Sequence, residues 1–346
     1  MKSTYIIGEI GQNHNGSVDY AKLLIDVVSR PVFDNFFENQ LPGMNAVKLT
    51  KRDLNNELSA SQMNKIYNSA HSFGRTYGDH RKHLELSDQE HFELFKYAKS
   101  LGIEFVETLC GLGTLDLLKL FTPDKLKVAS RDITNIPLIE AMACTKLPIV
   151  LSLGMAGVRE LDEAIEVITR QHSNISILHC VSEYPTQYKN VNLNSIRYLL
   201  KNYSGYTIGY SDHTIGISTP VSAVAMGAKI IEKHITIDRK MKGTDQSGSL
   251  AIDGIERMVR DIRNLELSLG SNSLFICEDV KISKEKLERS IAAVRTLPVG
   301  HSITENDIHL LSPGTGFKWM ERSNVVGKRV KSEILANEII YPKNLA

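Results

Sequence analysis

The sequence predicts a (β/α)8 TIM barrel followed by a small, β-rich C-terminal domain, and two observations support this prediction. Eight short apolar runs alternate with longer amphipathic segments over residues 1–270, which matches the size of such a barrel. An open doubly wound sheet usually has fewer strands and a point where the strand order reverses. Residues 271–285 form a predicted linker, and over residues 286–346 the pattern changes to short strands and turns.

The predicted barrel strands are short and rich in β-branched residues, as buried parallel strands usually are. They cover Tyr5–Glu9, Ala46–Thr50, Glu104–Thr108, Leu126–Ser130, Ile149–Ser152, Ile175–Cys180, Thr207–Tyr210 and Ala228–His234. Each one is followed by a segment with helical periodicity or by a loop. The order of elements is therefore that of repeated β/α units.

The predicted helices carry recognisable start and stop signals. The helix over Asp88–Leu101 begins after Ser87, which forms a capping box with Glu90, and it stops at Gly102. Two further helices are predicted over Arg159–Arg170 and Ile217–Met226.

Two insertions and one linker interrupt this pattern. Residues Pro31–Asn45 lengthen the first connection from helix to strand, and Lys51–Glu85 form a long excursion after the second strand. The second insertion falls at the end of the barrel where loops carry function. The sequence Leu-Gly-Ser-Asn-Ser at Leu269–Ser273 has the composition of a linker.

The charge balance and the N-terminus limit the classes of partner. The 346 residues include 41 basic and 40 acidic side chains, so no net charge favours nucleic acid or an anionic membrane. The N-terminus has no signal-peptide pattern. The longest apolar stretch, Ile136–Val158, contains Glu140 and Lys146, which a membrane span would have to bury. We therefore expect a cytoplasmic protein with no membrane and no nucleic-acid partner.

Two histidines at predicted strand ends suggest a metal site. His213 and His234 are 21 residues apart, one β/α step, so they lie on adjacent strands. The first strand closes the barrel beside the eighth, which brings Glu9 into the same corner. Two imidazoles suit a divalent ion such as Mn²⁺, Co²⁺ or Mg²⁺ acting as a Lewis acid. The alternative is that either histidine has only a structural, hydrogen-bonding role.

Lysines and hydroxyl groups at the other strand ends suggest a binding site for an anion. Lys48 and Lys127 stand where apolar strand residues would be expected, although each alone could be a surface lysine whose amine reaches water. Ammonium and hydroxyl donors together match phosphate and carboxylate groups. The converging hydroxyl residues are Thr108, Ser130, Ser152, Ser182 and Ser211.

Segments along nearly the whole chain resemble the sialic acid synthase family, which includes the N-acetylneuraminate, legionaminate and pseudaminate synthases. The matching segments are GEIGQNHNG (Gly8–Gly16), TYGDHRKHLEL (Thr76–Leu86), KVASRDITNIPLI (Lys127–Ile139), LSLGM (Leu151–Met155), LHCVSEYPT (Leu178–Thr186), GYSDHTIGI (Gly209–Ile217), IEKHITIDR (Ile231–Arg239) and GTDQSGS (Gly243–Ser249). The tail, over Glu288–Phe317 and Val325–Ile340, resembles the antifreeze-like (SAF) domain of that family.

The resemblance implies a reaction and a role for each site residue. Phosphoenolpyruvate, water and an N-acylated amino-sugar aldose (N-acetylmannosamine or a 2,4-diacetamido-6-deoxyhexose) would give a nine-carbon 2-keto-3-deoxy acid and phosphate. His213 and His234 would bind the metal ion, Mn²⁺ or alternatively Mg²⁺ or Co²⁺. Glu9 would orient the sugar and assist proton transfer, and Tyr184 and Asp245 would complete the sugar site. The phosphoenolpyruvate-binding residues would be Lys48, Thr108, Lys127, Ser130, Ser152, Ser182 and Ser211.

One departure from the family pattern concerns sugar recognition. The SAF loop of the family carries an arginine that reaches a partner subunit's site and contacts the N-acyl group, which implies a domain-swapped homodimer. Here that position is Ser312, so the sequence does not identify the aldose. Two alternative functions remain: a Schiff-base aldolase that uses Lys48, Lys127 or Lys233, and a non-catalytic sugar-binding relative.

Overall fold

The computed structural model describes residues 3–34 and 38–346, which form two compact units. The first unit covers residues 1–270 and the second covers residues 271–346. The segment 271–285, predicted as a linker, lies in the second unit and includes the beginning of helix α11, Lys281–Leu287. No helix in the described part of the chain is long and apolar enough to cross a membrane.

The first unit is a closed barrel of eight parallel strands, which confirms the predicted fold class. Each barrel strand pairs with the next one in sequence, and the first strand closes the ring beside the last. The barrel strands are β1 Tyr5–Gly11, β4 Ala46–Arg52, β5 Glu104–Cys110, β6 Lys125–Val128, β7 Ile149–Ser152, β8 Ile175–Cys180, β9 Thr207–Asp212 and β10 Ile230–His234.

The first unit also contains ten α-helices within its described residues. The helices are α1 Val18–Ser29, α2 Ala60–Met63, α3 Tyr77–Leu84, α4 Asp88–Ser100, α5 Ile136–Cys144, α6 Val158–Thr169, α7 Tyr188–Val191, α8 Asn194–Asn202, α9 Ser218–Ala225 and α10 Ile252–Ser268. Short 3-10 segments cover Leu112–Lys119, Ser130–Asp132 and Gln246–Gly248. The predicted capping box of α4 is present, since the Ser87 hydroxyl accepts from the Glu90 amide and the Glu90 carboxylate accepts from the Ser87 amide.

The two predicted insertions contain small elements of their own. Strands β2 Val32–Asp34 and β3 Asn39–Leu41 form an antiparallel pair outside the barrel, and residues 35–37 between them lie outside the described residues. The excursion after β4 carries α2 and α3.

The fourth predicted strand was placed too far along the chain. It was expected over Leu126–Ser130, but β6 ends at Val128 and Ser130 begins a 3-10 turn. Strands β4 and β5, in contrast, each continue two residues beyond the predicted end. Both differences matter for the active site, because they move side chains at the mouth of the barrel.

An apolar layer fills the barrel interior below its C-terminal end. Its side chains are at most 4% exposed and pack on one another. Side chains on a strand alternate between the two faces, so the residue two positions later also points into the barrel. The apolar layer consists of Ile7, Ala46, Val106, Val150, Leu178 and Ile230. The residues two positions further along are Glu9, Lys48, Thr108, Ser152, Cys180 and Glu232.

The second unit is a small β-rich domain with its own core. Strands β11 Ser290–Ala293 and β12 Ile308–Leu311 form an antiparallel pair, and short 3-10 segments cover Glu278–Val280, Glu305–Asp307, Trp319–Asn324 and Pro342–Asn344. The buried core side chains are Ile291, Ala293, Leu297, Ile303, Ile308, Val325, Val330, Ile334 and Ile340.

Asp307 is a buried carboxylate that joins three segments of the second unit. It is 1% exposed and accepts hydrogen bonds from His301 Nε2 at 2.9 Å, the Thr304 amide at 2.9 Å and Arg295 Nε at 3.0 Å. Burial alone would raise the pKa of Asp307, but these donors outweigh it and lower the pKa below its usual range. The resulting stabilisation is present above the unfolded-state pKa of about 3.9 and is lost as the pH falls toward the lower folded-state pKa.

We expect Asp307→Ala to destabilise the second unit by about 2 kcal/mol, because these donors and the Thr304 hydroxyl, which also donates to Asp307, lose their shared acceptor. The measurement is urea unfolding of the full chain at pH 7, followed by the fluorescence of Trp319, which is the only tryptophan of the sequence and lies in this unit. Glu305→Ala, which removes a carboxylate that is 60% exposed, serves as the control. Equal unfolding midpoints for the two variants would contradict the expected role of Asp307.

Candidate active site

A cavity of about 290 Å³ opens at the C-terminal ends of the barrel strands. The six inward positions directly above the apolar layer all line its floor. All twelve side chains that the sequence singled out for the site line this cavity: Glu9, Lys48, Thr108, Lys127, Ser130, Ser152, Ser182, Tyr184, Ser211, His213, His234 and Asp245.

Four buried charged side chains form the deepest part of the cavity. Lys48 pairs with Glu9 and lies 3.8 Å from Glu232, and its amine also donates to Thr108 at 3.0 Å. Lys127 lies 3.2 Å from the same oxygen of Glu232. Two ammonium groups and two carboxylates therefore balance one another in a site from which water is largely excluded.

The two carboxylates of this group ionise differently. Burial raises the pKa of Glu9 to about 7, against the lowering effect of Lys48. Burial would also raise the pKa of Glu232, but Lys127 and Lys48 outweigh it and lower that pKa. At neutral pH Glu232 is thus ionised and holds the lysines, whereas Glu9 can both donate and accept a proton.

Serine hydroxyl groups line another part of the cavity wall, where Gly154 leaves space for them. A Cβ atom at Gly154 would lie 2.2 Å from Ser182 Oγ and 2.8 Å from Ser130 Oγ, so only glycine allows these two hydroxyls to approach each other. Ser130 Oγ accepts from the Gly154 amide at 2.9 Å. Ser152 Oγ is buried and has no hydrogen-bond partner among the described residues, which leaves it available to a ligand.

The two predicted metal ligands are neighbours at the mouth. The ring centroids of His213 and His234 are 5.5 Å apart, and the Tyr184 ring lies 4.1 Å from that of His213. His213 Nδ1 lies 2.8 Å from the Val181 carbonyl oxygen, which fixes it as the donor and leaves Nε2 with its lone pair. His234 Nδ1 is buried, and no residue that the structure describes forms a hydrogen bond with it.

This pair offers nitrogen donors of the kind a divalent cation takes. Burial lowers the pKa of His234, so its imidazole is neutral at neutral pH and keeps a lone pair. Asp245 lines the same part of the cavity. Within residues 3–34 and 38–346, no group of three or more histidine, cysteine or carboxylate side chains is arranged as a complete ligand set. Two imidazole donors would leave the other coordination positions of an ion to water or substrate.

Lys233, a candidate for Schiff-base chemistry, forms a buried ion pair outside the cavity. Its amine lies 2.5 Å from Asp212 Oδ2 and donates to the Thr214 carbonyl, and the side chain does not line the cavity. Lys48 does line the cavity. Burial would lower its pKa, but Glu232 and Glu9 outweigh burial and raise it, which keeps the amine protonated and a poor nucleophile.

Sequence reasoning missed several residues of the cavity. Glu232 and Arg52 follow from alternation, since Glu232 is two residues before His234 and Arg52 is four residues after Lys48 on the inner face. Arg81, on α3, and Arg131, in the 3-10 turn after β6, carried no such signal. Ser312 lies in the second unit, where its hydroxyl donates to the Leu287 carbonyl at 2.8 Å.

Comparison with known proteins agrees with the sequence pattern. Residues 39–273 match the NeuB family and residues 288–346 match the SAF domain. The chain is 35% identical to the N,N'-diacetyllegionaminic acid synthase of Legionella pneumophila, over 96% of this chain and 92% of that protein. It is 34% identical to the N-acetylneuraminate-9-phosphate synthase of Homo sapiens, over 94% and 88%. The crystal structure of N-acetylneuraminic acid (sialic acid) synthetase from Leptospira borgpetersenii in complex with citrate superimposes with a TM-score of 0.68 at 30% identity, covering 82% of this chain and 90% of that one.

Proposed function

Because the chain belongs to the NeuB family of sialic-acid-type synthases and ends in a SAF domain, we propose that it condenses phosphoenolpyruvate with an N-acylated amino-sugar aldose. The products would be a nine-carbon 2-keto-3-deoxy acid and inorganic phosphate. The observation that carries the proposal is the buried group of two lysines and two carboxylates, bordered by hydroxyl donors and by a histidine pair. A small dianion fits the lysines and hydroxyls, and an aldehyde fits the histidine side.

In the proposed reaction, the methylene carbon of phosphoenolpyruvate forms the new bond to the aldehyde carbon. Positive charge develops at the carbon that carries the phosphate, water adds there, and the bond from this carbon to the phosphate oxygen breaks. Lys48 and Lys127 hold the phosphate and carboxylate groups, and Thr108 and four serines supply further donors. These fixed donors stabilise charge where it forms. The four serines are Ser130, Ser152, Ser182 and Ser211.

A divalent ion, Mn²⁺ or alternatively Mg²⁺ or Co²⁺, belongs to the proposal, with His213 and His234 as the residues that would hold it. When bound, such an ion supplies Lewis-acid polarisation of a carbonyl oxygen. The Val181 carbonyl orients the His213 ring for this role. Tyr184 and Asp245 form the wall on this side of the cavity and would contact the sugar.

Glu9 is the proposed proton-transfer group. Its pKa of about 7 lies close to physiological pH, where a general acid or base works best. It sits between the lysine group and the histidine side, because a Cβ at Gly11 would meet both Glu9 Oε1 and His234 Cε1. We propose that it orients the open-chain aldose and returns a proton to the oxygen of the former aldehyde.

The domain-swapped homodimer and the cytoplasmic location also remain part of the proposal. A non-catalytic sugar-binding relative is the second candidate function. Within the described residues, the buried atoms Ser152 Oγ and His234 Nδ1 have no partner, which indicates that the cavity receives a ligand in either case. Release of phosphate distinguishes the two candidates.

The test is release of inorganic phosphate from phosphoenolpyruvate, with and without Mn²⁺, in the presence of N-acetylmannosamine, its 6-phosphate or a 2,4-diacetamido-6-deoxyhexose. We expect release with at least one aldose, none without an aldose, and a loss of more than tenfold when the metal is removed. Borohydride trapping of a pyruvate adduct without a metal requirement would instead support the aldolase. Failure of every aldose would support the non-catalytic alternative.

A further inference from the structure

Three arginine side chains come together at the outer part of the cavity, and the proposed reaction does not use them. Arg52 is the last residue of β4, Arg81 lies on α3 and Arg131 lies in the 3-10 turn after β6. All three line the cavity. They come from three separate parts of the chain, so the fold brings them together.

A carboxylate, Glu57, and a side-chain amide, Gln12, each contact two of these arginines, which we call the arginine cluster. Arg52 Nη1 and Arg131 Nη1 both lie 2.9 Å from the same oxygen, Oε1 of Glu57. The Gln12 amide, in the orientation that its surroundings require, accepts from Arg52 Nε at 3.0 Å and from Arg81 Nη1 at 3.2 Å. The guanidinium groups are therefore held near one another by shared acceptors.

The cluster carries more positive charge than its partners cancel. Among the described residues, the carboxylate other than Glu57 that pairs with these arginines is Asp132, at 3.3 Å from Arg131 Nε. Arg81 Nε is buried and has no hydrogen-bond partner in the same part of the chain. Burial lowers the pKa of Arg52, and the positive charges of Arg81 and Arg131 lower it further. A cluster with excess charge and an unused buried donor is suited to an anion.

Phosphoenolpyruvate bound at Lys48 and Lys127 would not neutralise the excess positive charge of the arginine cluster. Lys48 and Lys127 are already paired with Glu9 and Glu232 deep in the cavity. Arg52 lies four residues beyond Lys48 on the same strand face, which places its backbone about 13 Å further along the strand toward the mouth. The arginine cluster is thus a separate layer of charge above the lysines.

The order of the strands separates the cluster from the histidine pair around the mouth. His213 follows β9 and His234 ends β10, whereas Arg52 ends β4, two strands from β10, and Arg131 follows β6, four strands from β10. An aldose whose aldehyde faces the histidines would direct its far end toward the arginines. We propose that Arg52, Arg81 and Arg131 form a second anion subsite, which binds a phosphate ester on the aldose at the end remote from the aldehyde. This inference rests on the proposed function for the orientation of the sugar.

The experiment compares calorimetric binding of N-acetylmannosamine and N-acetylmannosamine 6-phosphate, without phosphoenolpyruvate and at fixed ionic strength. We expect the unmodified protein to bind the phosphorylated aldose at least tenfold more tightly. Arg131→Ala, which replaces a side chain that is 32% exposed, and Arg81→Ala should each reduce that preference about tenfold. Arg159→Ala, which removes an arginine that is 89% exposed and outside the cavity, is the matched control and should keep the full preference.

The outcomes separate this inference from the proposed function. Equal affinity for the two aldoses, or a preference that survives in Arg131→Ala, would overturn the anion subsite. An affinity for phosphoenolpyruvate that falls as much as that for the sugar phosphate would also overturn it, since the arginines would then bind the other substrate. A lost preference in the two cavity variants without phosphate release in any assay would support the subsite and contradict the synthase. Thermal unfolding of each variant checks that it is folded, and Arg131→Ala alone decides the question if Arg81→Ala is not.

Discussion

Phosphate release by the His234→Ala variant should fall by about 10³-fold or more relative to the unmodified protein. The substitution removes one of two neighbouring imidazoles and the buried, unpartnered Nδ1 atom that would bind a divalent ion. Loss of Lewis-acid polarisation is worth several kcal/mol of transition-state stabilisation, and about 4 kcal/mol corresponds to a thousandfold in rate. The rate would be measured with saturating phosphoenolpyruvate and aldose, and Mn²⁺ binding would be measured separately by calorimetry.

A matched control separates this effect from general damage to the barrel. His172 lies in the turn between α6 and β8, at the opposite end of the barrel, and does not line the cavity. His172→Ala should keep both the rate and Mn²⁺ binding within about twofold of the unmodified values. If His234→Ala bound Mn²⁺ as tightly as this control and worked at the same rate, the ligand assignment would be wrong.

The Lys127→Met variant should show a Michaelis constant for phosphoenolpyruvate that is raised about 100-fold, with little change for the aldose. Lys127 is 3% exposed and supplies one of the two ammonium groups at the floor of the site. A charge-assisted contact of this kind contributes about 2–3 kcal/mol, which is the free energy of such a change. Initial rates of phosphate release over a range of each substrate give both constants.

The substitution also removes one of the two ion pairs of Glu232, because the Lys127 amine lies 3.2 Å from the Glu232 carboxylate. Removing one partner of a buried ion pair destabilises a protein strongly, so the double variant Lys127→Met, Glu232→Gln is needed beside the single one. Circular dichroism during thermal unfolding shows which variants are folded. An unchanged constant for phosphoenolpyruvate in a folded variant would remove Lys127 from the substrate site.

The sequence was sufficient for the barrel and for most of the candidate site, for a physical reason. In a closed barrel, alternation along each strand places every second side chain inside, so a polar residue two positions after a member of the inner apolar layer must face the cavity. Lys48 follows Ala46 in this way, and Glu9 follows Ile7. The same rule applies to Glu232, which follows Ile230 and was overlooked.

The remaining parts of the site depend on distant contacts that local patterns do not encode. Arg81 lies in the excursion after β4, and only the folded chain brings it to Gln12 near the end of β1. Ser130 was assigned to a strand, whereas the chain leaves the sheet at Val128 and turns. That turn carries Arg131 to Glu57, which is a contact between two loops. Neither pairing follows from hydrophobic periodicity, because periodicity describes one element at a time.

The apolar layer beneath the cavity has a consequence for the order of events in the proposed reaction. Among the described residues, its side chains close the barrel from below, and the cavity opens at the loops above the strands. In the proposed reaction, phosphoenolpyruvate is the smaller substrate and would bind at the bottom, next to Lys127 and Glu232. An aldose bound first would block access to that position. We therefore expect phosphoenolpyruvate to bind before the aldose.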